Sequence, residues 1–304
     1  MKKIIIIISY LSLVLIMVSI HSCQSSKSLT TAKMLKFDFE KGKGYDYEMT
    51  SNIVQEIMGQ SINMDMSAYY SMDVSADDGN MKTITNSIDR FKIKMGVMGF
   101  NIDVDTDKPM PSLGKTADGE DPIMIVNSLF SAIKGQKFTM KVNAEGKVQE
   151  ITGFENMAKT IVESMGFEGD KKEEMIKKFD QQFNAKKMKD QFERTWYVFP
   201  NKEVKVGDSW QKNSESGGEM GGKYKSTYQV KEIEGEMVTL EEKTKIYSDD
   251  EDGKVRGEIT GTLIVDSRVG LVVSGEQEMK FKTTADGKSF EINGKTRIKG
   301  KARN

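Results

Sequence analysis

The stretch from Ile62 to Val74 limits the fold of this chain more than any other. Ile62, Met64, Met66, Ala68, Tyr70, Met72 and Val74 stand at every second position. The residues between them, among them Asn63, Asp65, Ser67, Ser71 and Asp73, are mostly polar. Successive side chains of an extended chain point to opposite faces, so this spacing sorts an apolar face from a wet one only in a strand. Alternation of that length predicts an antiparallel strand with one side on a core. Asp77-Asp78-Gly79-Asn80 then has the composition of a hairpin turn, and residues 84–95 supply the return.

The pattern recurs toward both ends. Before the long run come Leu35, Phe37 and Phe39, then Tyr45, Tyr47 and Met49; after it come Phe100, Ile102 and Val104, then Phe138, Met140 and Val142. Late in the chain Tyr224, Tyr228 and Val230 alternate, as do Val238, Leu240, Thr244 and Ile246, with Ile259, Leu263, Val265, Met279, Phe281 and Ile292 beyond. Only 4 prolines in 304 residues leave such strands unbroken. Acid-Gly-Lys turns at Glu145, Asp252 and Asp286 point to repeated hairpins.

The middle differs. Asp121 and Pro122 read as the start of a helix carrying Ile125, Val126, Leu129 and Ile133. Met157, Ile161, Val162 and Met165 have helical spacing. Met175, Ile176, Phe179, Phe183, Met188 and Phe192 place an apolar stripe on one long third helix, with Asp170 and Glu173 as its capping box and a lysine-rich opposite face. Strands, then helices, then strands predict an α+β fold. A dozen strands cannot lie flat, so the expectation is a large curved antiparallel sheet, as a half-barrel or two packed sheets, with about three helices and the longest mid-chain.

The N-terminus is a separate matter. Lys2 and Lys3 precede an almost wholly apolar run over residues 4–18, followed by Ser19-Ile20-His21-Ser22-Cys23. This is the three-part layout of a secretory signal. Ile20, Ser22 and Cys23 resemble the lipobox of bacterial lipoproteins, which implies cleavage before Cys23 and lipid attachment to it. The competing reading is an uncleaved span, but the apolar run is short of the ~20 residues a bilayer requires. The division expected is a signal peptide over 1–22, a flexible tether over 23–33 and one β-rich body over 34–304, with its helical segment near 154–193.

Processing would remove the one histidine, His21, and hide the one cysteine. Without an imidazole or free thiol, Ser-His-Asp and Cys-His catalysis, His- or thiolate-bound zinc and iron–sulfur clusters are excluded. Forty-five basic against 46 acidic side chains give no basic field for nucleic acid. Asp103, Asp105 and Asp107 mimic an EF-hand start, but Lys108 and Gly114 occupy the positions that need Gly and Glu. Met64 and Met66 could hold Cu(I), yet side by side on one strand face they read more simply as packing. No metal and no cofactor is expected.

Residues 199–210, with Pro200 ahead of Val204-Lys205-Val206-Gly207-Asp208-Ser209-Trp210, are similar to a phrase in a family of Bacteroidetes envelope lipoproteins of unknown function. Residues 138–153, with Gly146-Lys147-Val148, look like the same family. The turn over 266–272 looks like lipoprotein-carrier half-barrels that hold acyl chains. The first resemblance carries over no catalytic residue. It also implies, from the lack of acids in Gln24-Ser25-Ser26-Lys27-Ser28, an anchor in the outer membrane facing the periplasm.

The function expected is therefore a lipid-anchored, non-enzymatic envelope protein that binds a lipid or another apolar ligand. Its wall would be Met64, Met66, Tyr70 and Met72, with Phe179 and Phe183 as lid, since Met-rich walls adapt to flexible ligands. Two alternatives stand beside it: a scaffold binding another envelope protein, and a hydrolase using paired carboxylates.

Overall fold

A computed structural model of the protein describes residues 32–57, 60–97, 100–108, 134–153, 157–164, 166–216, 222–248, 255–285 and 288–303. The helix expected from Asp121, the loop before it and the acidic turn at 249–253 lie outside the described residues.

In chain order the elements are β1 (Lys33–Leu35), β2 (Gly44–Ile57), β3 (Gln60–Asp77), β4 (Met81–Val97), β5 (Phe100–Asp105), β6 (Lys137–Asn143), β7 (Val148–Thr152), α1 (Met157–Ser164), α2 (Gly169–Phe183), α3 (Ala185–Trp196), β8 (Lys202–Val204), β9 (Ser209–Ser216), β10 (Gly222–Glu234), β11 (Met237–Tyr247), β12 (Val255–Asp266), β13 (Leu271–Ala285) and β14 (Lys288–Arg303). The long alternating run is β3, and Asp78-Gly79 turns it into β4 with Asp78 accepting from the Met81 N–H at 2.7 Å. Twelve strands make one sheet in the order β7-β6-β4-β3-β2-β14-β13-β12-β11-β10-β9, with β5 branching from β4. Each neighbouring pair is antiparallel. β1 and β8 form a separate two-stranded ribbon.

The α+β expectation is corrected to all-β. Among the described residues fourteen strands stand against three helices, and the helices build no layer over the sheet. The sheet instead curls and covers its own inner face. Its two end strands, β7 and β9, do not pair with each other, so it stays open. Helix α3 bridges the gap, touching both. Glu145 in the β6–β7 turn reaches Lys212 of β9 at 2.5 Å across the same seam. The sequence pattern missed this because periodicity identifies elements, whereas the class depends on which element buries the sheet.

Side chains of the inner face fill the core. Phe37 and Phe39 enter it from the chain between β1 and β2, which is pinned by Phe37 N–H donating to Ala144 O at 2.7 Å and Asp38 N–H to Val269 O at 3.0 Å. Phe39 stacks on Tyr45 at 3.8 Å between ring centroids, and the Trp196 ring meets Phe37, Phe39 and Tyr47 edge-on. All five rings are buried.

The single long helix is also corrected. It is interrupted at Asn184, whose ψ of 162° is extended. Asn184 is the N-cap of α3, its side chain accepting from the Lys187 N–H at 3.0 Å. An asparagine competes with helical backbone in this way, so it favours a cap over a helix interior. Nor is Asp170 a cap. Gly166, at φ 72°, ends the preceding turn, and Glu168 is the N-cap of α2 without a side-chain bond. Asp170 lies inside the first turn, where a negative charge suits the helix dipole. Asn184→Ala should cost about 1 kcal/mol in urea denaturation, and Asn184→Asp should cost much less.

Candidate functional site

One row of the sheet differs from its neighbours. Ile93, Met66, Ser51, Thr296, Gln277, Gly261, Glu242, Tyr228 and Trp210 are direct cross-strand partners from β4 through to β9. Direct partners share a face, and burial of Glu242, Tyr228 and Trp210 shows that this face is the inner one. The middle of the row is polar. It separates the main core from a smaller apolar cluster of Tyr224, Ile246, Val255, Phe281 and Ile292.

Gly261 sets the geometry of this belt. It stands on β12 between Gln277 of β13 and Glu242 of β11, and an added Cβ would lie 2.8 Å from Gln277 Cγ. With no side chain in the way, Gln277 Nε2 reaches over the intervening strand and donates to Glu242 Oε2 at 2.6 Å. Thr244 Oγ1 lies 2.9 Å from Glu242 Oε1 and 2.7 Å from Ser226 Oγ. The Tyr228 hydroxyl is a third partner of the carboxyl. Burial pushes Glu242 above the ordinary glutamate range, against the pull of these hydrogen bonds.

Above the belt lies a cavity of about 180 Å³. Its floor is Glu242, Gln277 and Thr244, its apolar wall includes Tyr47, Met49, Leu263, Val272 and Ile298, and its roof is the last turn of α3, Arg194 to Trp196. An adjoining trough of about 760 Å³ shares Glu242 and Gln277 and runs along Ser51, Met66 and Thr296. Arg194 Nη1 donates to Tyr224 Oη at 2.7 Å, and its guanidinium sits 4.8 Å from the Tyr224 ring centroid. The buried Nε of Arg194 and Nε1 of Trp196 have no acceptor. Among the described residues neither Arg194 nor Glu242 joins an ion pair. The cavity thus combines an apolar wall with a hydrogen-bonded carboxyl and the last turn of α3. Such a space can hold an amphiphile.

Glu242 makes stability depend on pH. A carboxyl with a raised folded pKa favours the protonated protein, so its contribution is present below the unfolded pKa and is lost as pH rises through the folded one. Glu242→Gln should therefore match the parent near pH 4 and exceed it at pH 8 by about 1–3 kcal/mol, since it removes a buried charge while Thr244 can turn to accept from the new amide. Urea denaturation at both pH values checks this.

The residues expected to form a ligand wall fall elsewhere. Met72 is fully buried in the main core, and Tyr70 stacks on Tyr47 at 5.4 Å. Met66 lines the trough, and half-buried Met64 pairs with Met95 across β3 and β4. None of these four lines the cavity. The side chains of Phe179 and Phe183, and Cys23, lie outside the described residues. Asp105 is gripped by Arg90 through two bonds of 2.8 and 2.6 Å, which holds its carboxyl well below the usual range. The Gly207-Asp208 turn delivers Trp210 to the core, where Nε1 donates to Val198 O at 2.7 Å. A sequence signal for the belt did exist. Glu242 occupies an inward position between Leu240 and Thr244, and an acid in the apolar register of a strand is a marked position.

A family model described as "Family of unknown function (DUF6263)" matches residues 79–289. No curated protein matches the sequence. Among solved structures, one titled "Lipid-protein interactions in lipovitellin" aligns with a TM-score of 0.50 at 9% identity over 88% of this chain. The chain spans only 26% of that one. The translocator domain of autotransporter NalP from Neisseria meningitidis aligns with a TM-score of 0.32 at 7% identity, over 86% of this chain and 89% of that one. At such identity the lipovitellin likeness bears on the fold alone, and the NalP match is too loose to bear on anything.

Proposed function

We propose, from the premise that this chain belongs to the Family of unknown function (DUF6263), that it is a lipid-anchored envelope protein that holds a small amphiphile and carries out no reaction on it. The cavity between the curled sheet and α3 is the observation that supports this, because it sets an apolar wall beside Glu242 and Gln277, which it shares with the polar trough. At about 180 Å³ it lies between the ~150 Å³ that takes a benzene-sized guest and the ~300 Å³ at which drug-sized sites begin. It fits one short chain or one end of a longer one. Burial of each methylene contributes ~0.8 kcal/mol. A sheet of similar fold occurs in a solved structure that describes lipid–protein interactions in lipovitellin.

The signal-like N-terminus supports the rest of the proposal. Cys23 would carry the acyl chains, two or more of which anchor a protein stably, and the body would face the periplasm from the outer membrane. Native mass spectrometry of the full chain, extracted from its own membranes in mild detergent, should show an acylated Cys23 at the N-terminus and a bound amphiphile. An N-terminus at Met1 would overturn the anchor. An empty protein that crosslinks in cells to one dominant partner would overturn the carrier in favour of a scaffold.

A further inference from the structure

We infer that the guest is a long single alkyl chain: one end fills the cavity, and the rest lies along an apolar stripe that crosses the inner face of the sheet from the cavity toward β5. This rests on the reading that the cavity holds an amphiphile, and it adds the length of the chain and its path.

The stripe is one row of direct cross-strand partners. Ile102, Met95, Met64, Ile53, Gly294 and Met279 follow one another from β5 to β13, and the row continues through Ile259, Thr244 and Ser226. From β4 onward each member stands two residues along its strand from a residue of the polar belt, so it shares the inner face. Ile259, Thr244 and Ser226 line the cavity, so the row runs into it. Gly294 leaves no gap. An added Cβ there would lie 3.3 Å from Met279 Cε and 3.8 Å from Ile53 Cγ1, so those two side chains approach over the glycine from either side.

Burial is the second observation. Inner-face residues of the main core, such as Met72 and Leu240, are fully buried. The six apolar members of the stripe are each only half-buried, so they keep apolar surface that an alkyl chain would cover. The next row beyond them, Ile62, Gln55, Ile292 and Phe281, carries an amide and no charge. Met95, Met64 and Met279 are unbranched and adapt to a flexible partner. From β12 to β5 the stripe crosses six inter-strand steps of ~4.8 Å, roughly 29 Å in all. A membrane acyl chain reaches across half of a ~30 Å bilayer core, about 15 Å, so the stripe accommodates the whole of one.

Octanol, decanol and dodecanol test this, titrated into the chain from Gln24 onward, which contains the whole compact unit Lys33–Asn304. Isothermal titration should show binding that tightens about fourfold with each added methylene up to dodecanol. Dodecanol carrying a diazirine at the far end of its chain, irradiated when bound, should label Met279, Ile53 or Met64 in peptide mapping. Affinity that stops rising at octanol, or label confined to other residues, overturns the stripe and leaves the cavity reading intact. If none of the three alcohols binds, both fall together.

Discussion

Gly146→Ala is expected to destabilise the protein by at least about 4 kcal/mol, among the larger effects a single methyl group produces. Gly146 has φ 81° in the β6–β7 turn. A left-handed conformation alone costs a residue with a Cβ about 1–2 kcal/mol. The rest comes from space, because the new methyl would overlap the carbonyl of Trp196 and press on the Phe199 ring. Neither neighbour can yield easily. Phe199 N–H donates to Glu145 O at 3.3 Å, and Glu145 holds Lys212 across the seam of the sheet. Gly42 provides the control, with φ 80° and nothing within 4 Å of an added Cβ. Gly42→Ala should cost only the conformational 1–2 kcal/mol. At roughly 2–4 °C per kcal/mol for a body of this size, the two melting temperatures should differ by about 4 °C or more. Equal losses would mean that the turn does not press on α3.

The second large effect is at Trp196. Its ring meets Phe37, Phe39 and Tyr47, with centroids 5.5, 5.7 and 5.1 Å away, and it roofs the cavity. Trp196→Ala should cost about 3–5 kcal/mol, the range for emptying a buried aromatic site. Trp196→Phe keeps a ring among those neighbours and discards an N–H that finds no acceptor, so its cost should stay below about 1.5 kcal/mol. The phenylalanine variant should remain folded by circular dichroism.

The strands were legible in the sequence because alternation at period two is a local property. Met64 to Val74 states its own geometry, and β3 follows it. The helix break was legible only in part, since Asn184 sits inside an unbroken apolar stripe and its capping role emerges from a hydrogen bond to Lys187. The site was the least visible part. Glu242, Gln277, Arg194 and Trp196 come from two strands and one helix far apart in the chain, and only the register across β11, β12 and β13 brings the first two together over Gly261. Methionines drew attention to β3 for a sound chemical reason, yet Met72 is fully buried in the main core. The two N–H groups without acceptors could not be read from residue types, because a missing partner is a property of the folded surroundings.

The proposed function turns on the cavity beneath α3, and of the two tryptophans in the chain Trp196 lines it and Trp210 does not. Trp210 donates its indole proton to Val198 O, whereas the Trp196 indole has no acceptor. A nitrogen–proton correlation spectrum of the labelled protein contains two indole peaks, assigned through Trp196→Phe. Saturating octanol should move the Trp196 peak, because that residue lines the cavity, and leave the Trp210 peak in place. A stationary Trp196 peak at saturation, or movement of Trp210 alone, would contradict it.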